Sequence, residues 1–187
     1  MNLQERPTIK IVALGGSLRP QSLTYFVLES ALKKVEAQGI ATELIDLRTL
    51  RLPFCCGDPV YPNYPDVEKL RRSIQSSTGL LLATPEYHGN ISGVLKNALD
   101  LLELKHMEGK VAGLIAVVGG VHSTNALNAM RLICRQLHCW VLPEQIAIPH
   151  AETSFDANGR LRDQEVEKRL DQLVDHLVAA SWKLGLT

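Results

Sequence analysis

The chain has 187 residues, 45% of them hydrophobic, and its 20 Lys plus Arg balance its 20 Asp plus Glu. That length fits one domain spanning residues 1–187 with a full apolar core. The zero net charge argues against nucleic acid as a partner, which calls for a basic face, and against a small electron carrier, whose one-signed surface would steer it to its partners.

Met1 to Thr8 is polar and the apolar run after it is too short for a secretory signal. No apolar segment approaches membrane-spanning length. A cytoplasmic protein with no membrane partner is expected.

The first element sets up the rest. An apolar run (Ile9, Ile11, Val12, Ala13, Leu14) stops at Gly15-Gly16; Ser17 and Arg19 follow, and an apolar-periodic segment opens at Ser22. A buried strand that feeds a helix through a glycine and hydroxyl loop binds anions, because the first N–H groups of the helix have no internal partner and its dipole favours negative charge. Ser17, Ser22 and Thr24 add hydroxyl donors and Arg19 a forked cation suited to phosphate. The competing reading is a plain strand-to-helix turn with Ser22 as N-cap. A Walker loop needs Gly-Lys-Ser/Thr and a dinucleotide fingerprint needs three spaced glycines; neither is present. What remains is a mononucleotide loop of flavodoxin type.

The first helix runs from about Ser22 to Gln38, and Ala41–Leu47 reads as a short second strand. A loop rich in proline and aromatics follows, from Leu52 through Tyr61, Tyr64 and Pro65, long enough to suggest a functional role. A helix over 66–76 leads to a third strand over 79–84, apolar throughout and so buried on both faces. It ends in Pro85-Glu86-Tyr87-His88-Gly89-Asn90, and a helix is predicted over 92–104. A fourth strand over 110–118 breaks at Gly119-Gly120, before a helix over 123–137. The fifth strand falls within 140–148, interrupted by Pro143, and the last helix spans 163–184.

Alternating strands and helices predict an α/β, flavodoxin-like three-layer sandwich: a five-stranded parallel sheet in order 2-1-3-4-5 with helices on both faces. Ligands of such sheets sit outside the carboxyl ends of the strands, so the loops 15–24, 85–90 and 119–123 should converge. The cysteines (Cys55, Cys56, Cys134, Cys139) match no zinc or disulfide spacing, and no metal site is expected. Cys134 reads as core, and Cys55-Cys56 as a loop pair that is either reactive or merely packed.

GSLRPQSLT, PEYHGNISGVLKNALD and the Gly119-Gly120 turn resemble the NADPH-dependent FMN reductase family, from Ile9 to about Leu137. The resemblance implies a flavodoxin-like homodimer or homotetramer that takes hydride from NADPH or NADH onto FMN. Two electrons then pass to a small-molecule acceptor: free flavin, a quinone, an azo compound, chromate or ferric iron. It places the FMN phosphate on Ser17, Arg19, Ser22, the backbone at Leu23, and Thr24. Pro85, Glu86, Tyr87, His88 and Gly89 would border the isoalloxazine, and Gly119 and Gly120 would form the third wall. His88 stands where the family most often has Asn, and Asn90-Ile91-Ser92 replaces Ser-x-Pro, so the acceptor preference is open.

Hydride transfer between two cofactors needs no protein acid or base, and none is assigned. His88 and His122 read as loop histidines before proton donors. Tyr87 either packs on the flavin or shapes its loop, and Glu86 faces either the ligand or a neighbouring subunit. The alternative class is a non-enzymatic FMN carrier. A receiver domain would need clustered acids where Gly15-Gly16-Ser17 stand. The apolar residues of the helices over 92–104 and 123–137 make stripes wider than one sheet face requires, which predicts an assembly.

Overall fold

The computed structural model describes residues 9–120, 123–156 and 158–184. Five strands form one parallel sheet in the order β2-β1-β3-β5-β6: β1 (Lys10–Gly15), β2 (Ala41–Asp46), β3 (Gly79–Tyr87), β5 (Val111–Val117) and β6 (Trp140–Ile148). This is the flavodoxin-like order. The prediction missed a sixth, two-residue strand, β4 (Asn90–Ile91), which turns back antiparallel on the end of β3.

Alternation along the central strands divides the core between two faces. Ile11, Ala13, Leu81, Ala83, Val111 and Ile115 point toward α1 (Leu23–Glu36) and α7 (Gln164–Leu184). Val12, Leu14, Leu80, Leu82, Ala112 and Leu114 point toward α2 (Pro65–Gln75), α3 (Gly93–Asp100) and α5 (Asn125–Gln136). Both sets are fully buried, which is why these strands read as unbroken apolar runs.

Proline explains two differences from the predicted strands. β3 continues through Pro85 to Tyr87 because β1 has already ended against Ala83, so the residue without an N–H meets an open flank. β6 is one strand: its register against β5 shifts between Ala112 and Leu114, and Pro143 sits in that irregularity on an edge strand. The helix predicted over 92–104 instead stops at Asp100 and restarts as the single turn α4 (Leu104–Met107), and a further turn, α6 (Ala151–Ser154), follows β6.

The apolar stripes proposed as surplus are mostly core. Leu95, Ala98, Leu99, Leu101, Leu102, Ala126, Leu127 and Met130 are buried, and Val94, Ile133 and Leu137 pack partly against them. Of these residues only Leu132 is well exposed, at 66%. All four cysteines are free thiols and Cys134 is fully buried. No helix among the described residues is long and apolar enough to cross a membrane.

Candidate functional site

The first loop leaves the sheet where β1 ends. Gly16 N–H still reaches the Ala83 carbonyl (2.8 Å), after which the chain turns away. The two glycines are required by crowding: a Cβ on Gly15 would lie 2.7 Å from the Tyr25 ring, and one on Gly16 would lie 2.7 Å from both Leu95 Cβ and Ser92 Oγ. Ser17 is buried, and its Oγ accepts from Arg19 N–H (3.3 Å), so its own O–H is free to donate.

Ser22 does cap α1. Its Oγ accepts from Tyr25 N–H (3.3 Å) and its carbonyl from Tyr25 and Phe26 N–H (both 3.1 Å). The cap and the anion site are compatible, because Leu23 and Thr24 N–H find no acceptor among the described residues. These two donors, the helix dipole and the buried Thr24 hydroxyl face the same end of the helix. The Arg19 side chain is exposed and makes no ion pair among the described residues.

The second loop is a tight hairpin. Tyr87 pairs with Asn90 and Glu86 with Ile91, leaving His88 (φ 53°) and Gly89 (φ 73°) as a two-residue turn with both φ values positive, the primed type suited to hairpins. His88 is thus a turn residue in the left-handed region, where Asn would be at ease. Tyr87 is 49% exposed. Glu86 is committed elsewhere: one carboxylate oxygen accepts from the Ser123 hydroxyl and Oε2 from Ala126 N–H (3.0 Å), so it caps α5 from outside the helix. Ser92 caps α3 through Leu95 N–H (3.3 Å), and its own N–H donates to Thr84 Oγ1 (3.0 Å), tying β3 to α3.

Three adjoining spaces open between these loops. A cavity of about 170 Å³ is bounded by Ser17, Arg19, Leu23, Thr24, Pro85, Glu86, Tyr87, Val117, Gly119, Ala151 and Glu152. A second, about 370 Å³, shares Arg19 and Tyr87 and adds Gly16, Leu18, Ser92, Gly93 and Val94. The third, about 450 Å³, is an apolar groove that shares Leu18, Gly93 and Val94 and runs over Leu47, Leu50, Leu52 and Phe54 to Asn97. A larger cavity, about 560 Å³, lies between α1 and the segment before α7, among Glu29, Lys33, Arg160 and Glu167, and shares no lining residue with these three.

Of the predicted residues, Ser17, Arg19, Leu23, Thr24, Pro85, Glu86, Tyr87 and Gly119 therefore come together. Ser22 stands behind them as the cap. His88, Gly89 and Gly120 do not line these spaces: the first two make the hairpin turn, and the Gly120 carbonyl accepts from His150 N–H (2.9 Å). His122 lies outside the described residues. Leu18, Gly93, Val94, Ala151 and Glu152 carried no sequence signal of a site. Nor did Tyr25, buried under the loop, whose hydroxyl donates to the Gly15 carbonyl (2.9 Å) and accepts from Leu47 N–H (2.9 Å). Burial pushes that phenol's pKa up. The long loop before α2 is clamped to α3 by Asn97, which accepts from Cys55 N–H (2.9 Å) and donates to the Pro53 carbonyl (2.8 Å).

Comparison with known proteins gives a consistent picture. Residues 9–153 match the model of the NADPH-dependent FMN reductase family. The chain is 32% identical over 180 residues to the NADPH-dependent FMN reductase ArsH of Shigella flexneri, covering 93% of this chain and 69% of that protein. It is 30% identical over 177 residues to an FMN-dependent NADPH-azoreductase of Staphylococcus aureus, covering 91% and 94%. Among solved structures it is similar to FerB, a flavoenzyme NAD(P)H:(acceptor) oxidoreductase from Paracoccus denitrificans, with a TM-score of 0.81 at 26% identity over 96% of this chain and all of that one.

Proposed function

The chain belongs to the NADPH-dependent FMN reductase family and is an NAD(P)H-dependent FMN oxidoreductase, and we propose that it holds FMN across the three loops and passes two electrons to a flat, apolar acceptor. The carrying observation is the end of α1: two N–H groups and an arginine side chain, all without a partner among the described residues, meet two buried hydroxyls at one cavity. These groups fit a terminal phosphate, since dipole, donors and cation all favour a dianion there. Arg19 and Leu23–Thr24 would take the phosphate, with Ser17 donating its hydroxyl and Ser22 capping the helix behind them.

Bound FMN supplies the two-electron chemistry, and the protein's part is to place and shield it. Pro85 and Tyr87 on the end of β3 and Gly119 beyond β5 wall the same cavity as the phosphate donors, and a ring system would lie against them. The Glu86 carboxylate fastens the β3 end to α5, holding that wall still. The neighbouring groove over Leu18, Leu52 and Phe54 has hardly any polar lining, which favours a quinone or azo compound over chromate or ferric iron. The same reading has the protein working as a homodimer or homotetramer. The support is exposed apolar surface at Leu18, Phe54 and Tyr87 around the site; the helix stripes do not supply it.

The test is the visible spectrum of the purified protein, fluorescence titration with FMN and FAD, and anaerobic addition of NADH or NADPH. Preference for FMN and bleaching by a nicotinamide are expected, followed by reoxidation on adding a quinone faster than on adding chromate. A flavin-loaded sample that stays oxidised with excess NADH and NADPH would indicate a carrier. Light scattering reads the assembly, and a monomer at micromolar concentration would refute it.

A further inference from the structure

Arg48 follows β2 in a turn closed by Thr49 N–H on the Asp46 carbonyl (3.0 Å) and by Arg48 N–H on Asp46 Oδ1 (2.9 Å). Its guanidinium sits over the Tyr25 ring, 4.2 Å from the centroid. Asp46 takes one side of it: Nε donates to both carboxylate oxygens (2.8 and 3.0 Å) and Nη2 to Oδ2 (2.7 Å). The remaining nitrogen, Nη1, turns to the first loop and donates to the carbonyls of Arg19 (3.1 Å) and Pro20 (2.9 Å). With Tyr25 holding the Gly15 carbonyl, the loop is tied from behind at three points.

The direction of those ties matters for an anion. A carbonyl oxygen turned into the cavity would repel a phosphate. The peptide after Arg19 ends in a proline nitrogen, so it has no N–H to offer in exchange. Every described peptide bond is trans, so with the Pro20 carbonyl on Arg48 the Gln21 N–H must point away from Arg48. Pinning both carbonyls therefore removes two negative dipole ends from the mouth of α1 and leaves the exposed Arg19 side chain as the cation lining that cavity. Asp46 offsets the charge of Arg48 while fixing its orientation.

We infer that Arg48 is a positioning residue for the flavin phosphate: it touches no ligand, and it sets the first loop so that donors and not carbonyls face the anion. This rests on the phosphate reading of that loop. The forked, ring-stacked arrangement cannot be supplied by the compact ammonium of lysine.

The experiment titrates the wild type, Arg48→Lys and Arg48→Ala with FMN and with riboflavin, which keeps the ring and lacks the phosphate, and records melting of each flavin-free protein. Both variants should weaken FMN binding by about tenfold, the scale of losing hydrogen bonds to a charged group, and leave riboflavin binding within about twofold. A merely structural role would weaken both flavins equally, and that result overturns the inference, as does unchanged FMN affinity in either variant. If Arg48→Ala fails to fold, Arg48→Lys decides alone. If the wild type itself binds FMN no more tightly than riboflavin, the phosphate reading of the loop is what has failed, and the inference falls with it.

Discussion

The two ends of the sheet are built to opposite rules. At the amino end of the strands most polar groups satisfy one another, although Ser181 Oγ and Glu103 Oε1 are buried with no hydrogen-bond partner among the described residues. Thr78 exchanges hydrogen bonds with the Lys10 backbone (2.9–3.1 Å), and Lys10 Nζ reaches Glu43 (2.6 Å) and Ser76 Oγ (3.0 Å). The buried Lys110 ammonium donates to the Gln75 carbonyl (3.1 Å) and the Ser77 carbonyl, closing the C-terminus of α2. At the carboxyl end the donors of α1, the Thr24 hydroxyl and Arg19 are left without partners among the described residues. Open helix donors, hydroxyls and a cation gathered around one cavity are groups that an anionic ligand completes. The difference separates scaffold from site.

That contrast can be broken from either side. The largest effect is expected at the open end. Arg19→Glu removes a charge-assisted hydrogen bond worth about 1.5–3 kcal/mol and adds a repelling carboxylate, so FMN affinity should fall roughly tenfold to more than a hundredfold with melting unchanged. Ser17→Ala should act in the same direction but less, since a neutral donor is weaker than a cation. Unchanged FMN affinity in Arg19→Glu would mean that the loop holds no phosphate.

At the closed end the signature reverses. Lys110→Met strips two carbonyls of their donor and should cost about 1–3 kcal/mol of stability with no change in FMN affinity. Equal loss of stability and affinity would show the two ends to be coupled. Glu86→Ala tests the seam between them. It removes the outside cap of α5, which should cost about 0.5–2 kcal/mol and loosen the wall beside the flavin, so denaturation and FMN titration should both shift, the second less than in Arg19→Glu.

What the sequence disclosed follows the same divide. Strand order and both core faces were legible because Val12, Leu80 and Ala112 belong to runs whose burial is periodic in the chain. The first loop was legible because glycine, hydroxyl and arginine types there have few other uses. The α6 turn, Leu18, Gly93 and Val94 were not, since their roles depend on which loop they meet. Arg48 gave no signal because its partners, Arg19 and Pro20, are distant in sequence and offer only backbone. Glu86 was left open between ligand and subunit because its partner, the first turn of α5, is some forty residues away. The stripes on α3 and α5 misled for a related reason: apolar spacing reports burial and cannot say whether the covering surface belongs to the same chain.

The smallest predicted effect is a pH dependence confined to the closed end. His106 is buried in α4, and its Nδ1 accepts from Glu103 N–H (2.9 Å), which only an unprotonated nitrogen can do. Burial lowers its pKa most. Glu103 and Glu68 oppose that shift, and Arg71 and Lys105 add to it. The folded value thus lies below the unfolded one of about 6.5. Between the two the unfolded chain binds more protons, so stability rises with pH in that window. The contribution is complete above about pH 6.5 and is lost as pH falls through the folded value. His106→Gln keeps a side-chain acceptor for Glu103 N–H and cannot titrate. Melting of the flavin-free protein at about pH 7.5 and about pH 5.5 should therefore fall more in the wild type than in His106→Gln, while the ratio of FMN to riboflavin affinity at neutral pH stays the same in both. Parallel melting shifts in the two proteins would place the acid sensitivity elsewhere, and a changed flavin ratio would mean that the closed end reaches the site after all.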